Sequence, residues 1–184
     1  MRLIQNLLKS IGKKFFPDDM KLNDEELSQK NKKPSDLQDK NPLLHYKTAA
    51  ALYAEEKYEE AMKHLESATM LNPNYAEAFA QWGCILIKVN HPQLAIKKLM
   101  RSLKLKPNNP KVYLNLGLAF DKLQNQNEAL KMYAQAIESL TRNPDYKDNP
   151  NDKTLIKTLN QIALYELAQQ DYDKCLDSFQ KIIN

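Results

Sequence analysis

The chain has 184 residues, a formal net charge of +4 and 42 % hydrophobic residues, a composition typical of a globular or repeat protein. Its three glycines are too few for hairpin-rich sheets or phosphate-cradling loops, which need positive φ. No run of 18 apolar residues occurs, so no transmembrane helix is expected. The only cysteines, Cys84 and Cys175, have apolar neighbours, which favours buried thiols in a reducing, cytoplasmic compartment over a disulfide framework.

The first 16 residues predict an amphipathic helix that ends before Pro17. Its apolar residues and its bases occupy different parts of the helical wheel: Leu3, Ile4, Leu7, Leu8, Ile11 and Phe15 against Lys9, Lys13 and Lys14. Three uses stay open, namely docking on the chain or on a partner, peripheral binding to an anionic membrane surface, and organellar targeting. Residues 17–41 are polar and charged and are expected to form a disordered tether.

From Pro42 onward, apolar residues recur with helical spacing in blocks of about 13 residues. Aligned blocks begin at residues 42, 76 and 110, which are 34 apart, and a fourth begins at 156, after an insert over about 141–155. Asn109-Pro110 and His91-Pro92 are predicted helix starts, with proline as the first helical residue. The pattern therefore predicts helix pairs that repeat every 34 residues.

Two blocks carry a recognisable motif. The second reads Phe79-x2-Trp82-Gly83-x2-Leu86, Ala95-x3-Leu99 and Pro107, and the third reads Tyr113-x2-Leu116-Gly117-x2-Phe120 and Ala129-x3-Tyr133. These motifs resemble the tetratricopeptide repeat, whose pattern is W-x2-L-G-x2-Y, A-x3-F and P. The resemblance implies an all-α fold over residues 42–184, a right-handed superhelical solenoid of antiparallel helix pairs with repeats at about 42–75, 76–109, 110–143 and 156–184.

Small residues recur where the helices of such a stack cross closely: Ala49, Gly83, Gly117 and Ala163 in first helices, Ala61, Ala95, Ala129 and Cys175 in second helices. Large side chains such as Trp82, Phe120 and Tyr133 are expected to fill the gaps between them. The last helix still looks apolar at Ile182 and Ile183, which leaves a homo-oligomer through an uncapped C-terminal repeat open.

The sequence shows no catalytic motif of the phosphate-binding, metalloprotease, dithiol or nucleophile-elbow types. The histidines His45, His64 and His91 show no metal-ligand spacing, so no metal site is expected. We expect no catalytic residues, no cofactor and no enzyme activity.

The resemblance implies that first helices line a concave groove that binds a peptide or helix segment of a partner protein. The groove positions carried over from the family are Tyr46, Lys47, Ala50, Tyr53, Glu77, Gln81, Cys84, Ile87, Lys88, Lys111, Asn115, Leu118, Lys122, Asn160, Gln161 and Leu164. Gln81 and Asn115 could hydrogen-bond a peptide backbone while Lys88, Lys111 and Lys122 attract carboxylates. A solvated face occupied by another part of the same chain is the alternative.

One family variant, the carboxylate clamp for chaperone C-termini, needs Lys and Asn in the first repeat, where this chain has Tyr46 and Ala50. Lys111 fits the clamp, but Asn115 replaces its Arg, so a chaperone-tail receptor is disfavoured.

The stretch from 88 to 111 is basic, and its Lys97, Lys98, Arg101 and Lys104 are expected on the convex side as a solvated face. An acidic partner, anionic lipid or RNA stays open as its ligand, with nucleic acid disfavoured because no exposed aromatic residues are interleaved. The sequence thus favours a non-catalytic protein-interaction scaffold. The alternative is a peripheral membrane adaptor anchored by the N-terminal helix.

Overall fold

The computed structural model describes residues 40–142 and 153–168, which belong, apart from Lys40, to one compact unit that begins at Asn41. These residues form seven helices and no strand: α1 (Pro42–Ala54), α2 (Tyr58–Leu71), α3 (Ala76–Lys88), α4 (Pro92–Leu105), α5 (Pro110–Lys122), α6 (Gln126–Thr141) and α7 (Lys153–Ala168). The predicted amphipathic helix, the tether up to residue 39, most of the insert, and the second helix of the fourth repeat with Cys175 lie outside the described residues. Their roles stay predictions.

The helices pack as a stack of pairs. Within each repeat α1 packs on α2, α3 on α4 and α5 on α6. Each later first helix also packs on the preceding second helix and on the preceding first helix, so that α1, α3, α5 and α7 follow one another in contact. The all-α helix-pair solenoid predicted from the sequence is confirmed.

Two first helices begin at an Asn-Pro pair. The Asn41 side chain accepts hydrogen bonds from the backbone N–H groups of Leu43 and Leu44, and Pro42 is the first helical residue. Asn109 caps α5 in the same way, through the N–H of Lys111 at 3.1 Å. The cap satisfies donors that have no partner inside the helix, and proline lacks a donor there altogether. The predicted starts at His91-Pro92 and Asn109-Pro110 are confirmed, although His91 makes no side-chain cap.

The turn between the two helices of a repeat has the same backbone each time. Glu56, Asn90 and Gln124, each 34 residues after the last, have φ values of 60°, 61° and 57°. The residue that follows each of them donates its N–H to a carbonyl five positions earlier: Lys57 to Leu52, His91 to Leu86 and Asn125 to Phe120, at 2.8–3.0 Å. This bond closes a Schellman-type helix end that requires a left-handed residue. The scarcity of glycine therefore does not exclude positive φ, because non-glycine residues adopt the left-handed conformation in these turns.

The small residues predicted at helix crossings are buried. Ala49, Ala61, Ala95, Ala129 and Ala163 are each no more than 1 % exposed. Gly83 and Gly117 are also buried, each against a large side chain of the second helix in its own repeat. The fold thus depends on first and second helices approaching closely at these positions.

The two glycines differ in what faces them. A Cβ on Gly117 would lie 2.1 Å from Cε1 of Tyr133, whose hydroxyl donates to Oδ2 of Asp121 and holds the ring in place. A Cβ on Gly83 would lie 2.4 Å from Cγ of the fully buried Leu99 and 3.2 Å from the backbone oxygen of Ala95. Neither crossing therefore has room for a methyl group without displacing a buried neighbour.

We expect Gly117→Ala to lower the free energy of unfolding by about 1–3 kcal/mol, because the added methyl group overpacks the contact with Tyr133. Helix propensity alone predicts the opposite sign, a gain of about 1 kcal/mol. Gly83→Ala should also be destabilising, because its Cβ would meet the buried Leu99 side chain and the Ala95 carbonyl oxygen. Urea unfolding of the full chain followed by circular dichroism measures both. A stabilised Gly117→Ala variant would contradict the packing argument.

We also expect Gln124→Gly to raise the free energy of unfolding by about 0.5–1 kcal/mol, because glycine removes the steric cost of the left-handed conformation. Asn90→Gly should change little, since asparagine tolerates that conformation. Ala134→Gly, at an exposed position inside α6, should cost about 1 kcal/mol and serves as the control. The same urea titration applies, and destabilisation by Gln124→Gly would refute the expectation.

Candidate partner-binding surface

The exposed side of α1, α3, α5 and α7, called the first-helix surface below, is continuous along the described repeats. The ring of Tyr46 in α1 lies 5.2 Å from that of Tyr75, the residue that precedes α3. Lys122 lies at the end of α5, and its Nζ donates a hydrogen bond of 3.3 Å to Oδ1 of Asn90, which follows α3. Such contacts fix neighbouring first helices side by side, so their equivalent residues form rows across the surface.

The central row consists of the sixth residue of α1, α3 and α5. Lys47 in α1 is exposed, and Gln81 in α3 and Asn115 in α5 are half-buried. Their 34-residue spacing brings them to corresponding places on adjacent helices. The two amides that the sequence analysis proposed as hydrogen-bonding groups for a peptide backbone thus occupy equivalent positions on adjacent first helices.

Exposed lysines give this surface a positive charge: Lys47, Lys88, Lys111 and Lys122. The acids of α3 and α5 are Glu77 and Asp121, and both have partners in their own repeats. Glu77 accepts from Nζ of Lys106 at 3.0 Å, and this hydrogen bond is the main reason that the pKa of Glu77 falls below its usual value. Asp121 accepts from the Tyr133 hydroxyl, while burial raises the pKa of Asp121. The surface thus presents cations whose nearby acids are already engaged.

Gln81 is only partly available to a ligand. Its Oε1 atom is buried and has no hydrogen-bond partner. An unpaired buried acceptor costs about 1–3 kcal/mol. A bound backbone N–H could remove that cost if the Gln81 side chain changed rotamer on binding.

Other predicted groove residues have different exposures. Ile87 is only 8 % exposed and packs in the core, so its proposed place on the binding surface is corrected, because little of it remains for a ligand. The hydroxyl of Tyr53 lies 3.9 Å from Sγ of Cys84, and burial raises the pKa of Tyr53 to about 12. Leu118 and Asn160 are half-buried, whereas Leu164 is 54 % exposed and offers an apolar contact.

The second-helix side differs from the expected solvated basic face. Nζ of Lys98 lies 3.4 Å from the centroid of the Trp82 ring, in cation–π geometry. Burial lowers the pKa of Lys98 to about 8, although nearby Glu66 opposes the shift. Arg101 donates to the Pro73 carbonyl at 3.2 Å. Lys98 and Arg101 are therefore engaged with the protein itself, a role that helix periodicity alone did not reveal.

Sequence reasoning also missed a pair of histidines. Nδ1 of His45 in α1 lies 2.9 Å from Nδ1 of His64 in α2, and the ring centroids are 5.2 Å apart. Burial is the main cause that lowers the pKa of His64 below its usual value, and the neighbouring His45 lowers it further. Their 19-residue separation gave no indication of this contact.

Over residues 40–142 and 153–168, no group of three or more His, Cys, Asp or Glu side chains is arranged to hold a metal ion. None of the helices in these two ranges combines the length and apolar character needed to cross a bilayer.

Comparison with known proteins agrees with this architecture. The family model described as tetratricopeptide repeat matches residues 44–75 and 110–139. No curated protein sequence matches the chain.

Solved structures match more widely. A structure of MamA from Desulfovibrio magneticus RS-1 is 19 % identical, with a TM-score of 0.65, and the match covers 99 % of this chain and 92 % of that one. The Arabidopsis OM64 TPR domain is 20 % identical (TM-score 0.53; 58 % and 88 % covered). The first TPR of Spaghetti (RPAP3), bound to the HSP90 peptide SRMEEVD, is 18 % identical (TM-score 0.53; 59 % and 86 % covered). At these identities the likeness shows the fold.

The family model matches the first and third repeats, and the second repeat between them has the same pair of helices. Residues 44–75 and 110–139 match the tetratricopeptide repeat, and the described helices have the fold of solved tetratricopeptide repeat structures, as the motifs predicted.

Proposed function

We propose that the chain is a non-catalytic scaffold that binds an acidic segment of a partner protein along the first-helix surface. Tetratricopeptide repeats generally serve as protein-interaction scaffolds rather than as catalysts. The observation that carries the acidic specificity is the set of exposed lysines on adjacent first helices, beside acids that already have partners. A segment with carboxylates would supply the missing negative charge.

Charge alone would make such binding fast and selective rather than tight. Exposed ion pairs contribute about 0.2–1 kcal/mol each and weaken as salt screens them. Apolar contacts must add affinity, and the exposed side chain of Leu164 on α7 is available for one. The central amide row, Gln81 and Asn115, could pair with the backbone of an extended segment. The mode is therefore a peptide held by backbone hydrogen bonds and selected by charge.

The chaperone-peptide complex of RPAP3 suggests a comparison at the first repeat. In the clamp variant of the family a lysine and an asparagine of that repeat hold the terminal carboxylate. Here Tyr46 is tied to the ring of Tyr75, and Ala50 has no polar group. The third repeat keeps Lys111 but has Asn115 in place of the Arg. The surface is thus suited to side-chain carboxylates rather than to a free C-terminus.

Selection of random peptides on the immobilised full chain should enrich sequences with Asp and Glu, because the lysines of the first-helix surface favour them. The enrichment should fade as salt is raised and disappear in the variant Lys47→Gln, Lys88→Gln, Lys111→Gln. The matched control replaces three second-helix lysines, Lys63, Lys97 and Lys104, with Gln and changes the net charge equally. Acidic enrichment that is lost equally in both variants would place the binding elsewhere.

The peptide SRMEEVD tests the terminal-carboxylate mode. We expect this chain to bind the free-acid form no more than about fivefold more tightly than the amidated form, because Tyr46 and Ala50 replace the lysine and asparagine of the clamp and one extra exposed ion pair contributes only about 0.2–1 kcal/mol. Fluorescence anisotropy with labelled peptides at low salt gives the two affinities. A preference of tenfold or more for the free acid would show that a carboxylate clamp exists after all.

A further inference from the structure

The histidine pair of the first repeat has a geometry that the proposed function does not use. His45 on α1 and His64 on α2 are each half-buried, and their Nδ1 atoms face each other at 2.9 Å. At this distance one ring donates its Nδ1–H to the unprotonated Nδ1 of the other. Two imidazole nitrogens therefore converge between two helices of a rigid pair.

The pairing follows from the repeat itself. The corresponding residues of the second repeat are Phe79 and Lys98, again 19 apart, and Nζ of Lys98 lies 5.9 Å from the Phe79 ring centroid. Two repeats thus bring the fourth residue of the first helix opposite the same position on the second helix. The helix backbones, rather than a chance choice of rotamers, hold the two histidines together.

We propose that His45 and His64 form a two-histidine site for a divalent transition-metal ion that accepts imidazole ligands in cis positions, with Cu²⁺ and Ni²⁺ preferred. Imidazole nitrogens bind such ions at about 2.0–2.1 Å, so two ligands at 90° stand about 2.9 Å apart, which is the spacing observed. Square-planar and tetragonal sites of nitrogen ligands suit Cu²⁺ and Ni²⁺, and imidazole is among their preferred ligands.

Binding needs a change of tautomer at one ring and a rotation of both rings, because lone pairs aligned along the hydrogen bond must turn toward an ion that lies beside the line between the two nitrogens. In the hydrogen-bonded pair one histidine carries its proton on Nδ1, and with the ion bound that proton moves to Nε2. Both Nδ1 lone pairs then face the ion, and the number of protons on the pair is unchanged. Water fills the remaining coordination positions, because the described residues offer no cluster of three or more ligands. The bound ion would join α1 to α2 beside Tyr46 on the first-helix surface.

Isothermal titration of the untagged full chain with NiCl₂ tests the site. We expect one Ni²⁺ per chain, with binding weakened about tenfold or more by His45→Asn and by His64→Asn, since each removes a ligand. Because the ion binds the folded chain, Ni²⁺ should also raise the melting temperature of the parent protein and of neither variant. The third histidine supplies the matched control: His91→Asn should bind Ni²⁺ like the parent chain.

Circular dichroism without metal shows whether each variant folds. A measurement on the parent chain alone makes the test independent of the variants: one equivalent of Cu²⁺ should give an electron paramagnetic resonance spectrum with two nitrogen ligands. Three results would overturn the site. The first is that the parent chain binds no Ni²⁺ at about 1 mM, and the second is that the folded His45→Asn and His64→Asn variants bind Ni²⁺ as tightly as the parent chain. The third is a Cu²⁺ spectrum that shows fewer than two nitrogen ligands.

Discussion

The close approach of the two helices within each repeat is the constraint on which the described structure depends. One helix pair cannot bury its apolar face alone, so pairs must stack, and stacking requires that each pair be thin and uniform. Gly83 against Leu99 and Gly117 against Tyr133 set that thickness in the second and third repeats. In the first repeat Ala49 occupies the corresponding position and is fully buried. The interhelix distance then determines which other side chains meet.

Once that distance is set, each repeat has a fixed list of cross-helix neighbours. Residues 16 apart meet at the small-residue crossing, and residues 19 apart meet one turn away, as His45 meets His64. The chain can therefore vary the chemistry of these pairs without changing the fold: two imidazoles in the first repeat, a ring and an ammonium group in the second. Function in such a stack comes from which residues occupy shared positions.

The sequence could predict the helix content, the repeat length and the helix starts, because these depend on local spacing, as at Asn109-Pro110. It could also predict the buried alanines, because they belong to the repeat motif. The sequence could not predict the backbone conformation of the turn residues. Glu56 and Gln124 adopt positive φ because the hydrogen bond that closes the helix end requires it. The first-helix surface was predicted as a set of positions. Its internal partners, such as Lys106 on Glu77, depend on contacts between residues 29 apart, which no periodicity within one helix reveals.

The internal partners also decide where the basic stretch acts. Between Glu77 and Asp121 the sequence has bases and no acid, which by itself fits any anionic ligand. The structure divides these bases: Lys98 lies over Trp82, Arg101 binds the Pro73 carbonyl and Lys106 pairs with Glu77. On the second-helix side these bases therefore already interact with groups of the protein itself. Lys88 and Lys111 stay exposed on the first helices. Because attraction for a partner depends on cations that have no closer partner of their own, the arrangement favours an acidic segment along the first-helix surface over nucleic acid on the opposite side.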